Sequence, residues 1–293
     1  MTLPAIGALR ERWPDGRLEI LGYPRTIELA RGRHYADDAR SIDAKPMAGF
    51  FIPNAVLDPG LMEYFGSFNL VVSYLFDPDS IFANNVRRCG VRQVIEASPR
   101  PNDLPAAQHY CKPLEALAIY VDAPEPRLYP NEADRDAASR FLHNAGREPI
   151  VAVHPGSGSE KKNWPETKWR ELIQRVLATT DWNLLLVGGE AEGERLRRLA
   201  ASLPPTRYAL AQSLPLVELA ECLQSGPAFV GHDSGITHLA AALGLPCIVL
   251  WSDALEEIWR PQGERLVILK EIAGIRGISV ERVMKELPAL MRK

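Results

Sequence analysis

From residue 150 onward, short apolar and β-branched runs alternate with longer stretches of helical periodicity. The runs are IVAVH at 150–154, NLLLVGG at 183–189, PAFVG at 227–231, CIVLW at 247–251 and LVIL at 266–269. Runs this short and this uniformly apolar fit strands covered on both faces, and their alternation with helices predicts βαβ units on a parallel sheet. The first part of the chain reads in the same way with weaker patterning, giving strands at Leu18–Leu21, Leu70–Tyr74 and Gln93–Glu96. Between the two parts, VDAPEPRLYP at 121–130 holds several X-Pro steps, which disfavour helix and strand alike. A helix is expected from Glu132 to Asn144, with Gly146 as its C-cap and Pro149 opening the next strand. The expected division is therefore 1–125 for a first domain, 126–148 for linker and helix, and 149–293 for a second domain. The tail from Val280 to Met291 reads as an amphipathic helix that Pro288 bends or ends.

Composition narrows the function classes. At 293 residues the chain has room for two cores, and 46% hydrophobic with 24% charged residues is ordinary for a globular protein. Its 34 basic against 37 acidic residues leave no global positive field for nucleic acid, so any anion must be held locally. No apolar run approaches the roughly 18 residues of a membrane span. Cys89, Cys111, Cys222 and Cys247 form no C-x-x-C pair, which points to packing thiols in a reducing compartment. A cytoplasmic setting is expected.

Three strand-end loops carry candidate chemistry. In PAFVGHDSGITHLAAALGLPCIVLW, 227–251, Asp233 or Ser234 can cap a helix, and Gly235 lets a ligand approach its first turn. A helix start presents free N–H groups and a positive dipole end, which suit a phosphate; His238 lies one turn on. In VAVHPGSGSEKKNWPETKWRELI, 151–173, a Gly/Ser-rich loop with Ser157, Gly158, Ser159 and Lys162 offers a second anion cradle ahead of a helix opened by Pro165. The spacing is not that of a Walker loop. Trp164 and Trp169 are expected to fill core. In LLLVGGEAEGERLRRLA, 184–200, Gly188 and Gly189 end a strand, and Glu192 opens a helix as a dipole partner or a ligand for ribose or sugar hydroxyls. A fourth stretch, Asp77-Pro78-Asp79, spells a D-x-D, a spacing that can hold a divalent metal, but its proline and the following Ser80 fit a turn and helix cap, so no metal site is expected there.

Taken in order, H-P-G-S-G-S-x-x-K-x-W-P, V-G-G-x-x-E and D-S-G-x-x-H-L-A-A-A-L-G-x-P resemble glycosyltransferase family 9, the ADP-heptose:lipopolysaccharide heptosyltransferases. The resemblance covers Val151 to Gly263, with an echo in TLPAIGALRERWPDGRLEILG, Thr2 to Gly22. It implies an α/β fold of the GT-B type, two Rossmann-like domains with parallel sheets facing a central cleft, the acceptor on the first and the nucleotide-sugar donor on the second. It implies a metal-independent, inverting transfer of a sugar, heptose in the family's own case, from a nucleotide diphosphate donor, an ADP-sugar favoured, to a saccharide or glycolipid hydroxyl. Lipopolysaccharide biosynthesis, no further cofactor, and peripheral association with the inner membrane go with it. By position, Ser157, Ser159 and Lys162 meet the donor diphosphate, Glu192 the ribose and Leu214 the base. Asp233 binds the sugar hydroxyls, and Ser234, Gly235, Ile236 and His238 surround the sugar and phosphates.

Two departures stand against the family pattern. Its members carry a strand and a G-D loop before the T-L-P-A segment, with the Asp as general base; the expectation is that both lie upstream of Met1, the alternative being a member without its base. The turn Trp251-Ser252-Asp253-Ala254 replaces an aromatic-Gly-Pro-Thr turn. The rival functions are a non-catalytic nucleotide-sugar binding protein and a nucleotide-sugar epimerase of the same fold.

Overall fold

The computed structural model describes residues 1–143, 150–252 and 255–291. The expected C-cap at Gly146, the strand opening at Pro149, and Asp253-Ala254 of the departing turn lie outside the described residues. The chain divides into two compact units, Met1–Pro124 and Glu125–Lys293. Among the described residues no helix is long and apolar enough to cross a membrane.

The first unit holds four short strands: β1 (Glu19–Gly22), β2 (Asp38–Ser41), β3 (Leu70–Ser73) and β4 (Gln93–Glu96). They pair in parallel as β1 with β2 and β3 with β4, two separate two-stranded sheets rather than one. β2 carries the sequence DARS, which has no apolar run and gives no strand signal. Phe50, Phe65 and Phe82 meet in a local aromatic core, with ring centroids 4.8 to 6.2 Å apart.

The second unit is built on β5 (Ile150–Val153), β6 (Asn183–Gly188), β7 (Tyr208–Gln212), β8 (Ala228–His232), β9 (Cys247–Leu250) and β10 (Leu266–Leu269). All pair in parallel, in the order β10-β9-β8-β5-β6-β7. Every residue of β5, β6, β8 and β9 is buried, as expected where helices cover both faces. One face packs under helices 166–179, 193–200 and 280–291 through Leu172, Leu196, Val283 and their neighbours. β7 is an edge strand whose buried and half-buried positions alternate, which is why its YALAQ lacks the apolar run that marks the others.

The C-terminal helix continues through Pro288 to Met291 rather than ending there. Leu287 and Leu290 are 1% and 5% exposed, and their burial, about 1.5 to 3 kcal/mol for each such side chain, offsets what the proline costs the last turn. Pro165 precedes the helix Glu166–Thr179 as its N-cap residue instead of occupying the first helical position. Trp164 and Trp169 are 1% and 0% exposed, core residues as their setting suggested.

The strand order fixes where a ligand can sit. From β5 the chain winds outward through β6 to β7, then returns to β8 beside β5 and winds the other way. The loops leaving β5 and β8 therefore diverge, and the crevice between the carboxyl ends of these two strands is the switch point at which open α/β sheets bind ligands.

Candidate functional site

Both sequence-predicted anion loops leave the sheet at that switch point. β5 runs into His154-Pro155-Gly156-Ser157, Gly158 turns the backbone at φ +69°, and a single 3-10 turn spans Glu160–Lys162. β8 ends at His232, Asp233 follows, and Ser234 opens the helix Gly235–Ala242. The two loops meet in an ion pair: Lys162 Nζ donates to Asp233 Oδ2 at 2.6 Å. The carboxylate side chain is 9% exposed and the lysine 39%.

Of the two candidate caps, Ser234 is the one used. Its Oγ accepts from the Thr237 N–H at 3.3 Å, which frees Asp233 for Lys162. With Thr237 capped, the first N–H groups of the helix, those of Gly235 and Ile236, have no partner within it. A Cβ added at Gly235 would meet nothing within 4 Å, so this glycine has open space above it. Ile236 and His238 are half-buried in the same first turns, and burial pushes the His238 imidazole down to about 4, leaving it neutral.

The remaining candidates surround the first loop. The Ser157 hydroxyl lies 2.7 Å from Asn163 Oδ1 and 3.0 Å from the Ser159 carbonyl, so it shapes the loop from within. Ser159 sits exposed at its tip. Glu192 immediately precedes the helix Gly193–Ala200 and accepts from the Gly189 N–H at 2.9 Å. Its side chain lies over Gly156, where a Cβ would stand 2.2 Å from Glu192 Cγ. Leu214 is half-buried just beyond β7, after Ser213, whose N–H bonds the Gly188 carbonyl. Ser157, Ser159, Lys162, Glu192, Leu214, Asp233, Ser234, Gly235, Ile236 and His238 thus all lie at carboxyl ends of strands of one sheet.

Three neighbours of these loops escaped the sequence reading. His154 is 4% exposed with Nδ1 3.3 Å from Ser234 Oγ. His232 is fully buried; its Nε2 accepts from the Trp164 N–H at 2.9 Å and its Nδ1 lies 3.0 Å from the Gly156 carbonyl. Arg195 donates to the Pro155 carbonyl at 3.1 Å and forks onto the Glu160 carboxylate at 2.6 and 2.8 Å, pinning the loop's far side. For the two histidines the available signal was a polar residue at the end of an otherwise apolar buried strand, which has to find a partner inside the protein; Arg195, on the helix Gly193–Ala200, gave none.

The Asp77-Pro78-Asp79 turn has a structural use. Asp77 accepts from the Ile81 and Ala83 N–H groups at 2.8 and 3.0 Å and so caps the helix Ile81–Arg88. Ser80, the cap expected from sequence, instead adopts φ +52° and donates to Glu96 at 2.6 Å.

Burial holds His154 down to about 4 and His232 to about 3, against 6.5 for a free imidazole. Below pH 6.5 the unfolded chain takes up protons that these two folded imidazoles refuse. Stability should therefore be insensitive to them above pH 7 and fall as pH drops, by about 1.4 kcal/mol per pH unit for each, and His238, held down in the same way, brings the total to roughly 4. The paired carboxylates of Glu160 and Glu166, whose Arg195 and Arg198 partners hold them below 4.5, add a loss only at lower pH. Urea unfolding at pH 7, 6 and 5 covers the window in which the histidines act; a flat profile over that range would show that they are not buried in neutral form.

The family model of glycosyltransferase family 9 (heptosyltransferase) matches residues 82–285. Lipopolysaccharide heptosyltransferase 1 of Pseudomonas aeruginosa is 39% identical over 120 residues, 41% of this chain and 30% of that protein. The chain spans between 30% and 56% of the length of the curated relatives it matches. Among solved structures, a glycosyl transferase family 9 protein from Veillonella parvula superposes with a TM-score of 0.84 at 16% identity, covering 99% of this chain and 92% of that one. The E. coli heptosyltransferase WaaC with ADP gives 0.71 at 17% identity, covering 99% and 95%. These likenesses show the fold, an α/β GT-B fold with parallel sheets. With the family model covering more than half its length, and with the family's loops at the switch point of its larger sheet, this chain belongs to glycosyltransferase family 9 (heptosyltransferase).

Proposed function

We propose that the protein is a glycosyltransferase that moves a sugar, a heptose in the family's own case, from a nucleotide diphosphate donor to a saccharide or glycolipid hydroxyl. The observation that carries this reading is the meeting of Lys162, Asp233 and the helix start at Ser234–Ile236 at the β5/β8 switch point. An ammonium and a helix N-terminus provide positive potential where a leaving diphosphate builds negative charge. In this reading Ser157, Ser159 and Lys162 form the diphosphate cradle, Glu192 takes the ribose and Leu214 lies against the base. Asp233 receives the sugar hydroxyls, with Ser234, Gly235, Ile236 and His238 around the sugar and phosphates. The structure of a relative with ADP favours an ADP-sugar as donor, and the names of the curated relatives favour a place in lipopolysaccharide synthesis.

The transfer is direct displacement with inversion. A base takes the acceptor proton, the anomeric carbon passes through an oxocarbenium-like state, and the diphosphate departs onto Lys162 and the helix start. Both carboxylate oxygens of Asp77 accept from helix N–H groups, so this residue serves as a helix cap in this reading and not as the base. Because protein groups supply the positive potential, no divalent metal is needed. ADP binding, and ADP release from ADP-heptose with a lipid A-core saccharide acceptor, should both persist in excess chelator. Loss of both on chelation, repeated by Asp77→Asn, would establish a metal-dependent site instead. Conversion of the nucleotide sugar without acceptor would identify an epimerase, and tight ADP binding with no turnover in any assay a binding protein.

A further inference from the structure

We infer that His232 is a positioning residue that clips the Ser157–Lys162 loop to the end of β8 and thereby sets Lys162 against the anion site. The inference rests on the donor-site reading above and assigns a role to a residue outside the set of proposed ligand contacts.

The loop's two ends are tied to one imidazole. At its start, the Gly156 carbonyl lies 3.0 Å from His232 Nδ1; at its end, the Trp164 N–H donates to Nε2 at 2.9 Å. Because the amide can only donate, Nε2 must be the bare nitrogen and Nδ1 must carry the proton it gives to Gly156. A single neutral tautomer therefore closes the seven residues from 157 to 163 into a loop anchored at both ends.

The clip is held from its other sides as well. The edge of the ring system meets Trp169, centroids 5.3 Å apart at 87°. The His232 carbonyl accepts from the Thr237 hydroxyl, so the same residue bonds the first turn of the helix that Ser234 caps. Its neighbour in sequence is Asp233, the partner of Lys162. One residue thus fixes the relative placement of the lysine-bearing loop, the aspartate and the helix start. A phenylalanine or leucine would fill the space but hold neither end of the loop, and the Trp164 N–H would be left buried without an acceptor.

A double-mutant cycle with ADP as the probe tests this. Lys162→Ala is expected to weaken ADP binding by about tenfold or more in the otherwise unchanged chain, and by less than about threefold in a His232→Phe background, because the lysine is no longer set against the phosphates. Two partial variants provide the rescue arm. His232→Asn keeps a donor for Gly156 and His232→Gln an acceptor for Trp164, and each should restore part of the lysine effect. Should the phenylalanine variant not fold, the cycle is run on His232→Asn and His232→Gln, in each of which the lysine effect should be smaller than in the unchanged chain, and an undiminished effect in both overturns the inference. Long-range proton–nitrogen correlation at neutral pH should show His232 protonated on Nδ1 alone. Equal lysine effects in both backgrounds, or a proton on Nε2, overturn the inference. A Lys162→Ala variant that binds ADP like the unchanged chain overturns the donor-site reading itself, and the inference falls with it.

Discussion

Lys162→Ala should bind ADP about tenfold to 150-fold more weakly than the unaltered protein, since a charge-assisted hydrogen bond of this type is worth about 1.5 to 3 kcal/mol. The ion pair with Asp233 makes the expectation asymmetric. Without ligand, the carboxylate occupies the ammonium that a diphosphate needs, so Asp233→Asn removes a competitor. ADP should bind that variant at least as tightly as the unaltered protein, while the additional affinity conferred by a sugar on the diphosphate is lost. Removing the lysine also leaves a largely buried carboxylate unpaired, which lowers the melting temperature. Calorimetry is therefore to be run well below both melting transitions. Parallel losses of ADP affinity in the two variants would mean that the pair serves the fold rather than the ligand, and unchanged affinity in both Lys162→Ala and His238→Ala would move the site elsewhere.

Gly235→Ala should separate binding from stability. Nothing lies within 4 Å of the position its Cβ would take, and the residue is the first of a helix, where alanine is favoured over glycine. The melting temperature should stay the same or rise. The methyl group nevertheless projects into the space above the helix start, where the phosphates are placed, and such overpacking typically costs about 1 to 3 kcal/mol, or roughly five- to 150-fold in affinity. Gly156 provides the contrast: a Cβ there meets Glu192 Cγ at 2.2 Å, so Gly156→Ala should lower the melting temperature by displacing a side chain of the protein itself. If Gly235→Ala binds ADP normally, no ligand approaches that helix start.

The sequence by itself determined the second unit in most of its parts. Short continuous apolar runs bounded by turn signals fit strands, buried throughout in β5, β6, β8 and β9 and half-buried in the edge strand β10, so these five were legible, and glycine-bearing loops after β5, β6 and β8 marked the carboxyl ends where ligands collect. Strands without that signature, β2 with DARS and the edge strand β7 with YALAQ, were invisible because pairing rather than burial of an apolar run defines them. The division of the first unit into two separate sheets was likewise beyond local pattern. The motifs named the residues of the site but not their partners. That Ser234 and not Asp233 caps the helix, that Asp233 then takes Lys162 from 71 residues away, and that one buried histidine holds both ends of the lysine loop are decided only in three dimensions. The physical reason is common to all three: a strand's register and the order of strands in the sheet bring together polar groups remote in sequence, and burial then obliges each of them to find the partner that local composition leaves open.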